Sequence, residues 1–195
     1  SRVLFSRHAK NTLYVTFDRH KMGDFKPYVL KSTDLGRTWA NVSGDLPANG
    51  SVYCLVEDHV KPELLFCGTE FGVFFTANGG GKWLAMKGGL PTMCIRDLAI
   101  QRRENDLVVC SFSRGFWILD DYTPLRTMVD EAKLRAEATL LPVKKALLYV
   151  QDSPLGGRGK ATQGERFYTA PNPPFGAVFT YYLADGYKTL KEQRQ

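Results

Sequence analysis

Three carboxylates and two guanidinium groups stand out by type and position. Asp18 and Asp24 lie within the polar stretch Asp18-Arg19-His20-Lys21-Met22-Gly23-Asp24-Phe25-Lys26. Glu70 and Arg114 each occupy a short turn between apolar runs, Gly68-Thr69-Glu70-Phe71-Gly72 and Ser111-Phe112-Ser113-Arg114-Gly115. Two carboxylates facing each other across a cleft, about 5–5.5 Å or about 6.5–9.5 Å apart, can cleave a glycosidic bond. Asp18, Asp24 and Glu70 are therefore the candidate catalytic residues. Arg19 and Arg114 could pair with an acidic sugar or another carboxylate. Phe25 and Tyr28 border the long polar stretch and offer flat rings for stacking on sugars. Arg19, Phe25, Tyr28, Glu70 and Arg114 together make a candidate ligand-binding rim. The plainer alternative is that Glu70 and Arg114 form structural ion pairs. Asp120-Asp121 follows an apolar run and reads as turn or cap residues. His20 has no second histidine nearby, so no metal site is expected.

Whether these residues meet depends on the elements that carry them, and those elements repeat. Ser32–Pro47 (STDLGRTWANVSGDLP) aligns without a gap on Thr76–Pro91 (TANGGGKWLAMKGGLP), 44 residues later. Glu63–Gly68 aligns on Asp106–Ser111 at a spacing of 43, and Gly72–Phe75 on Gly115–Ile118. A period near 43 made of short apolar runs and Gly-rich turns has the size of a four-stranded propeller blade. Long stretches of helical periodicity are absent, which argues against a helical solenoid. One period reads as strands Val52–Glu57, Leu64–Thr69, Val73–Ala77 and Trp83–Lys87. The next supplies Arg96–Ile100, Leu107–Phe112 and Phe116–Asp120. The preceding one supplies Thr12–Phe17, Tyr28–Lys31 and Trp39–Val42. Naming the four strands of a blade A to D, hairpin alternation puts the B–C and D–A connections at one end. The A–B and C–D connections lie at the other. Asp18, Arg19, Asp24, Glu70 and Arg114 all fall at the B–C end, where propeller ligands usually bind by fold analogy.

Ser32-Thr33-Asp34-Leu35-Gly36-Arg37-Thr38-Trp39 has the form S-x-D-x-G-x-T-W. A short carboxylate at Asp34 can accept hydrogen bonds from turn N–H groups, with Ser32 and Thr38 bonding inside the turn. Gly36 allows positive φ. Trp39, Trp83 and Trp117 recur at blade positions and are expected between blades. The second copy is degenerate, with Asn78 in place of Asp34 and Lys82 in place of Thr38.

On these residues the chain resembles the Asp-box (bacterial neuraminidase repeat) β-propeller superfamily. The nearest likeness is to large bacterial sortilin-like and glycosyl-hydrolase-like repeat proteins. Asp18-Arg19-His20, Pro27-Tyr28, Gly68–Gly72, Phe116–Asp121, Asn172–Ala177 and Tyr181-Tyr182-Leu183 also carry it. The resemblance implies a structural role for Ser32, Asp34, Gly36, Thr38 and Trp39. It implies a glycan or peptide ligand and an extracellular or periplasmic setting. Such relatives carry a Thr-His-Gly-Arg-Gly run where this chain has Ser111–Gly115, so the role of that histidine is not carried over. The arginine triad and Tyr/Glu pair of a sialidase cannot be assigned. Two functions follow: a binding or scaffolding module, or part of a glycoside hydrolase of the sialidase or xyloglucanase kind.

Composition bounds the rest. The 195 residues are 44% hydrophobic and 24% charged, which excludes wholesale disorder. No apolar run reaches the ~20 residues of a membrane span. The net charge of +6 is scattered, with no basic arm for nucleic acid. Cys54, Cys67, Cys94 and Cys110 show no C-x-x-C spacing and read as buried thiols. Gly157-Arg158-Gly159-Lys160 lacks the context of a P-loop, and no cofactor is implied.

The expected fold is all-β: a partial β-propeller of about two and a half four-stranded blades, one short helix and the start of a C-terminal β-sandwich. Residues 1–126 form the blades. Residues 127–152 hold a helix over Glu131–Leu141 and a closing strand over Ala146–Gln151. Residues 153–166 form a Gly-rich loop, and 167–195 begin the sandwich. Two and a half blades cannot close a ring of about 4–8. The remaining blades are expected from a larger protein or from other copies of the chain.

Overall fold

A computed structural model describes residues 2–128, 136–150 and 175–194. The chain divides into two compact units, Ser1–Glu137 and Ala138–Gln195. The first unit is a partial β-propeller built from three antiparallel up-and-down sheets in chain order. The first sheet runs β1 (Arg2–Phe5), β2 (Leu13–Arg19), β3 (Asp24–Ser32) and β4 (Ala40–Asn41). The second runs β5 (Val52–Glu57), β6 (Leu65–Thr69), β7 (Gly72–Thr76) and β8 (Leu84–Ala85). The third holds β9 (Ile95–Gln101), β10 (Asp106–Ser111) and β11 (Phe116–Leu119). A short helix α1 (Pro124–Thr127) follows, with Pro124 in its first turn.

The sheets stack through two apolar clusters. Side chains alternate across a strand, and β6 uses both faces. Leu65 and Cys67 join Tyr14, Val29, Val52, Leu55 and Trp83 in the cluster between the first and second sheets. Phe66, with Val73 and Phe75, joins Ile95, Leu98, Leu107, Val109 and Tyr122 in the cluster between the second and third. All five residues of β6 are buried for that reason.

Each end sheet packs one face on a cluster and carries exposed apolar side chains on the other, although Leu13 and Val15 on that face of the first sheet are buried. Leu4 packs into the first cluster, so its neighbours Val3 and Phe5 point the other way, and Phe5 is 63% exposed. Trp117 packs into the second cluster, so Phe116 and Ile118 point away from it, and Phe116 is 74% exposed. An unburied Phe forgoes roughly 1.5–3 kcal/mol.

The second unit contains β12 (Ala138–Leu140) paired antiparallel with β13 (Tyr181–Leu183), and the ladder continues with Leu141 N–H donating to the Thr180 carbonyl at 2.9 Å. Tyr149 meets Phe175 edge-on at 5.0 Å. The terminal helix α2 (Leu190–Gln193) begins with a reciprocal capping box between Thr189 and Glu192. Among the described residues no helix is long and apolar enough to cross a membrane.

Several expectations are corrected. The first sheet is complete, because β1 supplies a strand the repeat alignment did not reveal, so there are two four-stranded sheets and one of three strands. The helix expected over Glu131–Leu141 gives way to β12 at residues 138–140, where pairing with β13 overrides helix propensity. Residues 131–135 lie outside the described residues. Residues 146–150 of the expected closing strand form no ladder, and Leu148 and Val150 are exposed. The Gly-rich loop at 153–166 lies outside the described residues.

Candidate functional site

The B–C end is built first by the turn between β2 and β3. A 3-10 turn over His20–Met22 ends at Gly23 in the left-handed region. This geometry brings both aspartates onto partners in their own turn. Asp18 Oδ1 accepts from the His20 backbone N–H at 3.2 Å and from His20 Nδ1. Burial pushes the Asp18 carboxyl up, but the His20 bonds prevail and hold it below the usual range. Asp24 accepts from the Tyr28 hydroxyl at 2.7 Å and from the Lys26 N–H at 3.2 Å, with Arg19 Nη1 at 3.6 Å. The Tyr28 bond leads in holding Asp24 low, and the same bond raises the Tyr28 hydroxyl. Both carboxylates are thus ionised at neutral pH and already partnered, and neither suits a general acid.

Glu70 is half-buried in the turn between β6 and β7, with its N–H donating to the Ser51 carbonyl at 3.1 Å. Ser51 Oγ is buried without a hydrogen-bond partner among the described residues. The Gly50 N–H donates to the Phe25 carbonyl at 2.8 Å, tying the first sheet's B–C turn to the strand entering the second sheet. A side chain at Gly50 would meet the Phe71 ring at 3.4 Å. Phe25 and Phe71, both about half exposed, therefore lie beside this junction.

Two rim residues escaped the sequence reading. The Arg96 guanidinium lies 4.4 Å from the Tyr53 ring centroid. The Tyr53 hydroxyl is raised by burial and then by negative charge from Cys94, Asp18 and Glu70, against Arg96. The only signal for this pair is a charge at Arg96 beside the apolar Ile95. Arg114 is exposed in a turn shaped by positive φ at Ser113 and Gly115. No Glu70–Arg114 ion pair forms.

At the opposite end, the Ser32–Trp39 turn closes on itself. Asp34 Oδ1 accepts from the Ser32 hydroxyl and the Thr38 N–H, both at 2.8 Å, and Oδ2 from the Thr38 hydroxyl at 2.6 Å. The Gly36 N–H donates to Ser32 Oγ at 2.8 Å. These bonds, led by the Thr38 hydroxyl, hold Asp34 at about 2. In the second copy Asn78 Oδ1 accepts from the Thr76 hydroxyl at 2.8 Å and the Lys82 N–H at 2.9 Å. The Trp83 N–H donates to Asp45 at 2.6 Å and its ring N–H to the Val42 carbonyl at 3.0 Å. Trp83 is 4% exposed, whereas Trp39, expected between blades, is 42% exposed. Among the described residues no sheet precedes the first to cover Trp39.

The A–B connections at this same end hold a buried charge. Asp58, fully buried, accepts from Arg126 Nε at 2.9 Å and Nη2 at 2.7 Å, from the Tyr122 hydroxyl at 2.6 Å and from the Lys61 N–H at 2.7 Å. Burial opposes the ionised form, but the Arg126 and Tyr122 bonds outweigh it and hold Asp58 low. Beside this network a cavity of about 130 Å³ is lined by Leu4, Phe5, Arg7, Val56, Glu57, His59, Ile100 and Arg102. The four cysteines are free, Cys54 and Cys67 fully buried, and burial pushes Cys54 up to about 12. No cluster of metal-ligating side chains occurs among the described residues.

No family model matches the sequence, and no curated protein matches it. Similar solved structures include two GH74 enzymes. One is an ancestral GH74 enzyme, with 21% identity and a TM-score of 0.48 over 58% of this chain and 13% of that one. The other is the GH74 enzyme of Niastella koreensis, with 20% identity and a TM-score of 0.49 over 61% of this chain and 21% of that one. The chain thus spans about a fifth or less of the length of either.

Proposed function

We propose that this chain is an Asp-box β-propeller module that binds a glycan or peptide ligand at its B–C rim. Its open sheet faces meet further blade-like sheets. The observation that carries the binding role is the state of the rim carboxylates. Asp18 and Asp24 are ionised and held by His20, Tyr28, Lys26 and Arg19. The surface around them offers half-exposed rings at Phe25 and Phe71 and the exposed guanidinium of Arg114. Rings and a cation fit recognition of sugar faces or of a peptide carboxylate. The scaffolding role rests on Val3, Phe5, Phe116 and Ile118, apolar side chains on open faces of the end sheets. The proposal carries with it an extracellular or periplasmic setting.

One observation favours a second reading, part of a glycoside hydrolase. Asp18 and Glu70 stand at the same end of neighbouring sheets, one in β2 and one in the turn between β6 and β7. A single comparison separates the two. Binding to glycan and peptide arrays is measured beside reducing-sugar release from xyloglucan, for the native chain, Phe25→Ala, Asp18→Ala and Glu70→Ala. The binding module retains a ligand that Phe25→Ala weakens about tenfold, with no turnover to lose. Sugar release abolished by Asp18→Ala or Glu70→Ala would establish the hydrolase instead.

A further inference from the structure

The cavity at the A–B end has no counterpart in the rim reading and lies at the other end of the strands. Its lining comes from the same place on three successive sheets. Leu4, Phe5 and Arg7 belong to β1 and its following turn, Val56, Glu57 and His59 to β5 and its turn, Ile100 and Arg102 to β9 and its turn. The lining combines aliphatic groups with charged ones.

The charges are unevenly satisfied. Glu57 Oε1 accepts from the Ser6 hydroxyl and Oε2 from the Arg7 backbone N–H, both at 2.8 Å. Asp58 is taken by Arg126 and Tyr122, and its carbonyl by His8 Nε2 at 2.8 Å. Glu57 and Asp58 are thus partnered. The side chains of Arg7 and Arg102 make no ion pair among the described residues. His59 registers the resulting field. Burial, Arg126, Arg102 and Arg7 push it down, and Asp58 alone pulls it up. Its Nδ1 lies 3.4 Å from the Tyr122 oxygen, whose own proton goes to Asp58. Nδ1 is therefore the donor to that oxygen, and Nε2 is left without a proton in the neutral ring.

We propose that this cavity binds a small organic carboxylate, with the headgroup between Arg7 and Arg102 and the hydrocarbon part against Leu4, Val56 and Ile100. Guanidinium groups match a carboxylate's planar geometry. A cavity of ~150 Å³ holds the six carbons of a benzene ring, so about 130 Å³ takes a hydrocarbon part of roughly five carbons, with the carboxylate outside it at the two exposed arginines. The site is separate from the proposed rim, and each can fail without the other.

Hexanoate is the probe, with hexanol and inorganic phosphate as its two halves. His59 ring resonances are followed by NMR on the full chain as each is added. Hexanoate is expected to shift them saturably, at least tenfold more tightly than hexanol or phosphate. Arg102→Gln is expected to weaken hexanoate about tenfold, while Arg37→Gln, an equal loss of charge on an exposed side chain outside the cavity lining, leaves it unchanged. The proposal is overturned by the absence of a saturable shift, by equal binding of hexanol or phosphate, or by equal losses in the two arginine variants. A normal amide spectrum for Arg102→Gln separates lost binding from lost folding.

Discussion

The Ser32–Trp39 turn and its copy at Thr76–Trp83 share the same internal bonding and differ in what lies against them. In each, a hydroxyl at the first position accepts from the N–H of the glycine four residues on, and a side-chain carbonyl or carboxylate gathers the closing N–H. The second turn also docks on the preceding sheet. Trp83 is buried there on the Val42 carbonyl and Asp45. Gly80 sits so close that a side chain would lie 2.5 Å from the Val42 carbonyl oxygen, and one at Gly44 would lie 2.6 Å from the Gly80 carbonyl oxygen. Gly36 meets nothing but its own Trp39, at 3.4 Å. The local motif makes the turn, and the neighbouring blade gives it tertiary value.

The largest expected effect separates the two tryptophans. Trp83→Ala should cost about 3–5 kcal/mol, the usual loss for a buried aromatic. Trp39→Ala should cost less than about 1 kcal/mol, because half its surface is already wet. Urea unfolding of the two variants measures the gap, and equal costs would break the comparison. Next come the glycines. Both have positive φ, Gly80 at 103° and Gly36 at 88°, so alanine is strained at either. Only at Gly80 does it also strike backbone, adding about 1–3 kcal/mol to the loss. Differential scanning calorimetry should rank Gly80→Ala well below Gly36→Ala in Tm. Asp45→Ala should be milder still, about 1–2 kcal/mol, from the lost bond to the Trp83 N–H. The exchange rate of that amide should rise in the variant; an unchanged rate would deny the bond.

The smallest difference is in pH. Asp34 is depressed to about 2, so its contribution is fully present above the unfolded value near 4 and disappears as pH falls through about 2. Asn78 does not titrate. Carboxyl and amide NMR should show Thr38 following a midpoint near 2 while Lys82 stays flat. A Thr38 midpoint near 4 would mean that the turn does not hold the carboxylate.

Much of the blade architecture was legible because it repeats. Strands β5, β6 and β7 fall within a residue of the expected bounds, since alternation and Gly-rich turns mark them twice. Strand β1 was not, because Arg2–Phe5 lies ahead of the segments that repeat and is held by pairing with β2. Strand β12 was missed for a similar reason: Ala138–Leu140 owes its conformation to Tyr181–Leu183, some forty residues away. The rim was legible as a set of turns at one end, but its charges were not. Asp18 and Asp24 look free in the sequence, and only the geometry of the turn reveals that His20 and Tyr28 hold them. The cavity of Arg7, His59 and Arg102 was invisible, because it takes isolated residues from three sheets and no local motif carries them.

The central claim is that the open faces of the first and third sheets are contact surfaces for further blades. Light scattering coupled to size exclusion, on the purified chain at several concentrations, tests it most directly. The account predicts species heavier than the 21.9 kDa monomer. A defined oligomer would identify other copies as the partners, and open-ended association would support further blades in a larger protein. A single monomeric species at every concentration would contradict the claim.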